Sequence, residues 1–149
     1  IFGGSSSGRL FTEVRQKQSL CYSVGGSYRA GPDRGEIAVY AGTTPERAQQ
    51  TLDTCRGEFD RMAKGITEEE FQRARIGLES GLVFSGESTS ARSVALVADQ
   101  FVLGEPRSLE TVRAEIAAVT LDRINDYLSC RATSDPTIVT MGPSPLQMG

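Results

Sequence analysis

The chain has 149 residues, 38% of them hydrophobic and 23% charged, and carries a formal net charge of −3. That length suits a single domain with its own core, and the composition excludes both a disordered acidic tail and a basic nucleic-acid-binding stripe. There is no histidine, which removes Ser-His-Asp triads, Cys-His dyads and His-based zinc sites before any motif is sought.

Residues 3–24, GGSSSGRLFTEVRQKQSLCYSV, form a glycine–serine turn, a short amphipathic helix and the start of a strand. Residues 1–4 read as the end of a strand entering that turn. Ser5, Ser6 and Ser7 can cap a helix whose apolar residues are Leu10, Phe11 and Val14 and which ends near Gln18. Residues 20–30 alternate as a strand, with Leu20, Tyr22, Val24 and Tyr28 on one face and Cys21, Ser23, Ser27 and Arg29 on the other. Gly31-Pro32-Asp33-Arg34-Gly35 is turn chemistry, and 36–42 is a second strand, so the pair is predicted to be an antiparallel hairpin.

Pro45 marks a helix start, and Ala48, Leu52, Cys55, Phe59 and Met62 follow as one apolar stripe that Gly65 ends. Thr67 and Glu70 are spaced as a capping box, with Ile66 and Phe71 as a hydrophobic staple. The helix they open carries Ala74, Leu78 and Leu82 and weakens at Ser85-Gly86-Glu87-Ser88; another runs from about Thr89 to the stop at Gly104 and Pro106. Further helices follow Ser108 (Leu109, Val112, Ile116, Val119) and Thr120 (Ile124, Tyr127, Leu128), and 137–141 is predicted to be a short β-branched strand. The class is α+β, one domain over 1–149 with an antiparallel sheet covered by several helices. Three strands are few for so many amphipathic helices, so part of the sheet is expected to lie outside the chain, which begins at Ile1 with no signal-peptide pattern. Its apolar runs are too short to span a bilayer.

The three cysteines, Cys21, Cys55 and Cys130, are far apart, odd in number and without a C-x-x-C, so they read as buried reduced thiols rather than a disulfide scaffold. The glycine–serine turn could hold an anion on free N–H groups, but it lacks phosphate-loop spacing and its lysine; a tight capped turn is the simpler account. Glu68-Glu69-Glu70 complements a helix dipole rather than a metal, and Glu79 and Glu87 have no partner at ligand spacing. Arg15 lies off the apolar face of its helix, and Tyr22 alternates with Leu20 and Val24. Taken singly, these are a surface arginine and a core or interface aromatic. Together, at one helix–strand joint, they are a charged and a neutral donor able to hold a peptide carbonyl or a developing oxyanion.

Gly4-x-Ser6-Ser7-x-Arg9-Leu10-Phe11-x-x-Val14-Arg15, followed by Leu20-x-Tyr22-Ser23-Val24, resembles the C-terminal half of the M16 peptidases, the pitrilysin, insulinase and mitochondrial processing peptidase family. Gly42-Thr43-Thr44-Pro45-Glu46, Gly65-Ile66-Thr67, Leu103-Gly104-Glu105-Pro106 and Gly142-Pro143 fit in the same order. The resemblance implies the M16 peptidase/LuxS-metallohydrolase-like fold, truncated at its N-terminus. It implies two homologous halves facing each other across a chamber, with Zn2+ on an H-x-x-E-H half that is not this one, and no cofactor in this chain. It further implies that Arg15 and Tyr22, seven residues apart as in the family, bind the substrate carbonyl and stabilise the tetrahedral intermediate from across the chamber. The partners so implied are a zinc-bearing domain or subunit and a peptide, with a homodimer also compatible; peptidase activity from this chain alone is not expected. The same resemblance extends to core-protein subunits that only scaffold a complex. Two positions depart from the family pattern: Gln16 stands where Glu is common, and Ser19 where Gly is usual.

Overall fold

A computed structural model describes residues 1–130 and 136–147. Two strands form one antiparallel hairpin, β1 (Cys21–Ala30) and β2 (Gly35–Thr43), closed by Gly31 donating its N–H to the Arg34 carbonyl at 2.8 Å. Before β1 comes a π-helical segment, Phe11–Lys17. After β2, Pro45–Arg47 makes a 3-10 turn into α1 (Ala48–Met62). Then follow α2 (Glu68–Glu87), α3 (Thr89–Leu103), α4 (Leu109–Ala118) and α5 (Leu121–Cys130). The α+β class is as the sequence predicts. The expected strand at 137–141 is absent: among the described residues no strand pairs with it, and Val139 and Met141 lie almost wholly in solvent.

The chain divides into two compact units. The first contains Ile1–Ser27, Ala38–Gly65 and the chain from Asn125 onward. Its core is Leu10, Val14, Leu20, Cys21 and Cys55, with Phe2, Val24 and Ala41 packed against it. Phe2 meets Phe59 edge to face, ring centres 5.7 Å apart. The buried face of α1 is Thr51, Cys55 and Glu58, rotated from the stripe that apolar spacing predicts. Thr51 can be buried because its hydroxyl donates to the Arg47 carbonyl at 2.8 Å. Glu58 takes Arg61 on one oxygen at 2.6 Å, while its other oxygen is buried with no hydrogen-bond partner among the described residues.

The second unit contains Tyr28–Ile37 and Ile66–Ile124, with α2 packed on α3 and α4. Local chemistry sets its helix ends. Thr67 and Glu70 form the capping box, Ser88 and Ser108 cap α3 and α4, and Gly104 ends α3 at φ +82°. The acidic first turn of α2 is occupied locally: Glu68 accepts from Gln72, Glu69 pairs with Arg73, and Glu70 serves the cap. Arg107 forks onto Asp99, with Nη2 2.7 Å and Nε 3.1 Å from its two oxygens, and reaches Glu115 at 2.5 Å. The Arg107 hydrogen bond holds the Asp99 carboxyl below the usual aspartate range. A depressed value means that the pair stabilises the fold fully above the unfolded aspartate value, about 4, and is lost as pH falls through the lower folded value. Asp99→Asn is therefore expected to lower the melting temperature at pH 7 and to flatten its fall below about pH 4, read by thermal scans across pH.

Candidate functional site

The joint between the π-helical segment and β1 is built from close backbone approaches. Gly26 donates its N–H to the Gly3 carbonyl at 2.9 Å, and a Cβ on Gly3 would sit 2.4 Å from the Gly26 nitrogen. The opening turn is not serine-capped as the sequence suggests. Arg9 and Leu10 donate their N–H groups to the Ile1 and Phe2 carbonyls at 3.0 and 2.9 Å, and Gly8 donates to Ser5. Ser5 and Ser7 hydroxyls pair with each other. The N–H groups of Gly8, Arg9 and Leu10, which an anion would need, are thus already used. Leu10 and Val14, one helical turn apart, are wholly buried and fix the segment's inner face.

Two arginines strap this segment antiparallel to α1. Arg9, just before it, donates to the Gly65 carbonyl beyond the end of α1 at 2.9 Å. Arg47, just before α1, donates to the Ser19 carbonyl beyond the end of the segment at 2.5 Å. At the same corner the Leu20 carbonyl accepts from both Thr43 (2.5 Å) and Thr51 (3.3 Å) hydroxyls. Ser19 has φ +51°, a left-handed conformation that costs an L-residue about 1–2 kcal/mol. Ser19→Gly is expected to stabilise the fold by about 0.5–1 kcal/mol, seen as a higher urea midpoint with unchanged slope.

Arg15 and Tyr22 both stand exposed at this joint. Arg15 lies over the Phe11 ring, its guanidinium carbon 5.0 Å from the ring centre. Its charge is felt at Cys21, the residue before Tyr22, where burial raises the thiol's pKa and Arg15 partly offsets the rise. Of the core and interface readings that its alternation with Leu20 leaves open, Tyr22 is not a core residue: it is 67% exposed, and Cys21 is buried in the core. Leu20, Cys21 and Val24 all pack in or against the core, so burial along this stretch does not follow strict alternation. The Tyr22 phenol lies over Gly42 of β2, where a Cβ would come within 2.5 Å of its ring carbon Cζ. A hydrogen bond with the Tyr40 hydroxyl raises the Tyr22 pKa above the ordinary tyrosine value, so Tyr22 is a neutral phenol at neutral pH. Sequence reasoning missed Tyr40, Gly42, Arg47 and Thr51. The i, i+4, i+7 spacing of Thr51, Cys55 and Glu58 is the signal that would have found the last.

Of the three thiols expected to be buried, Cys21 and Cys55 are, while Cys130, the last residue of α5, is exposed instead. Burial pushes the Cys55 thiol up to about 11. A zinc site does not fit these residues: there is no histidine, and among the described residues no group of three His, Cys, Asp or Glu could hold a metal ion. No helix among them is long and apolar enough to cross a membrane.

Known proteins share both the sequence and this fold. Residues 1–78 match the family described as peptidase M16 inactive domain. The chain is 30% identical over 145 residues to the uncharacterized zinc protease YmxG of Bacillus subtilis, covering 97% of this chain and 36% of that protein. It is 36% identical over 143 residues to the uncharacterized zinc protease SCO5738 of Streptomyces coelicolor, covering 95% and 31%. It therefore spans about a third of the length of these relatives. The crystal structure of a peptidase M16 inactive domain from Pseudomonas fluorescens superimposes with a TM-score of 0.74 at 24% identity, over 89% of this chain and 32% of that one. With that family matching just over half of its length, the chain belongs to the M16 peptidases, as part of their inactive, C-terminal-type domain.

Proposed function

We propose that this chain is the half of an M16 peptidase that faces a zinc-bearing domain or subunit, closes the chamber with it and contacts the peptide through Arg15 and Tyr22. The reading rests on one observation: an exposed guanidinium and an exposed neutral phenol stand at a joint pinned to α1, in a chain whose family is the M16 inactive domain. Arg15 supplies a permanent positive charge toward the substrate carbonyl oxygen, and Tyr22 a neutral hydrogen-bond donor. Both contribute most as negative charge develops on that oxygen. The metal and the attacking water belong to the other half.

The test is reconstitution. The complete protein together with a zinc-bearing half is expected to cleave a quenched fluorescent peptide, and neither half to do so alone. A zinc-bearing half that is equally active without this chain would refute the proposal. A complex that assembles but leaves peptides intact would favour the scaffold role instead.

A further inference from the structure

We infer that Gly42 is a positioning residue for Tyr22: the space left by its missing side chain is the seat on which the Tyr22 phenol lies, and that seat holds the phenol in one orientation for the substrate. This rests on the reading of Tyr22 as a substrate contact. Glycine inside a strand weakens it, and commonly marks a close approach by another group. The backbone at 42 does not itself ask for glycine: among the described residues the glycines with positive φ are Gly65 and Gly104. Space does ask for it. A Cβ at 42 would lie 2.5 Å from Tyr22 Cζ, 2.6 Å from the Tyr22 hydroxyl oxygen and 2.9 Å from Ser23 Oγ, all inside the spacing of ordinary packed atoms, about 3.5–4.0 Å between carbons. Gly42 is accordingly buried, although Tyr40, two residues earlier in β2, is exposed.

An exposed tyrosine with nothing beneath it samples several side-chain rotamers. A donor that must be ordered afresh at each encounter loses part of its worth to that ordering. Tyr22 is held at its hydroxyl end by contact with β2, yet most of its surface stays open to solvent. A methyl group at 42 would take the seat and push the phenol off it. The atoms that must then move are the ends of the Tyr22 and Ser23 side chains, not backbone, so the damage falls on the placement of the hydroxyl and not on the fold. Gly42 acts through Tyr22, without touching substrate.

The experiment is a double-mutant cycle in the complete peptidase with its zinc-bearing half, paired with urea unfolding and with NMR of the Gly42 α-protons. Gly42→Ala is expected to lower kcat about 10²-fold, the scale of a group misplaced by about 1 Å, with KM unchanged. Its urea midpoint should be no lower than that of the wild type, because alanine has less chain freedom to lose on folding than glycine. In the Tyr22→Phe background it should cost no further activity. Tyr22→Leu should shift the Gly42 α-proton signals, by removing the ring current of the phenol above them. An equal loss from Gly42→Ala in both backgrounds, or Gly42 signals unmoved by Tyr22→Leu, would overturn the inference. If Tyr22→Phe itself leaves kcat unchanged, the reading of the site fails and the positioning role with it. If Tyr22→Phe is slow and Gly42→Ala is not, only the positioning role fails.

Discussion

Arg15→Ala and Tyr22→Phe are each expected to lower kcat of the reconstituted peptidase by about 10²–10³, the usual cost of removing one preorganised oxyanion donor. Neither change should unfold the protein. Both side chains are exposed, and surface truncations of this kind stay within about 0.5 kcal/mol; Arg15 adds its stacking on Phe11, about 0.5–1 kcal/mol at an exposed site. Nearly unchanged melting with a collapsed kcat would separate a functional loss from a structural one. Arg15→Lys should fall between wild type and Arg15→Ala, because it keeps the charge but loses the planar fork and most of the stacking. Wild-type kcat in both Arg15→Ala and Tyr22→Phe would leave the pair with no part in the reaction.

The largest effect on stability is expected at Leu10. Leu10→Ala should destabilise the fold by about 3 kcal/mol, within the usual range for a leucine whose site cannot collapse. Leu10 is wholly inaccessible, and its Cδ1 lies where the Gly3 and Gly26 backbones cross, 2.8 Å from where a Cβ on Gly3 would be. That backbone is pinned by the Gly26–Gly3 hydrogen bond and cannot readily move in to fill the void. Phe11→Ala, at a half-buried neighbour, should cost less. Urea unfolding of both variants decides the matter: equal midpoints would show that the segment is not anchored through Leu10.

The elements that local chemistry dictates were legible in the sequence. The capping box at Thr67, the stops at Gly65 and Gly104, and the hairpin turn near Gly31 all form where the residues place them, because each needs only neighbours within a few positions. What depended on distant partners was not legible. The β-branched run 137–141 has strand propensity but no strand to pair with among the described residues. Thr51 is buried because Arg47, Leu20 and Thr43 satisfy its hydroxyl, and a count of apolar residues places it outside the stripe. Alternation with Leu20 and Val24 left open whether Tyr22 is a core or an interface aromatic, and its exposure is decided by packing around Cys21 and Val24 that spacing does not carry. The proposed Arg15–Tyr22 pair stood out in the sequence as two donors at one helix–strand joint and as a spacing shared with a family; composition and periodicity gave it no distinction from a surface arginine and an aromatic.

The two arginine straps carry a consequence for how the joint opens. Because Arg9 and Arg47 tie both ends of the π-helical segment to both ends of α1, the short segment cannot fray from either terminus without breaking a charge-assisted bond. Its amides should therefore exchange with deuterium together with those of α1, as one cooperative unit rather than as a loose terminus. The free energy of that opening would then be set largely by a helix that carries neither of the residues proposed to meet the peptide.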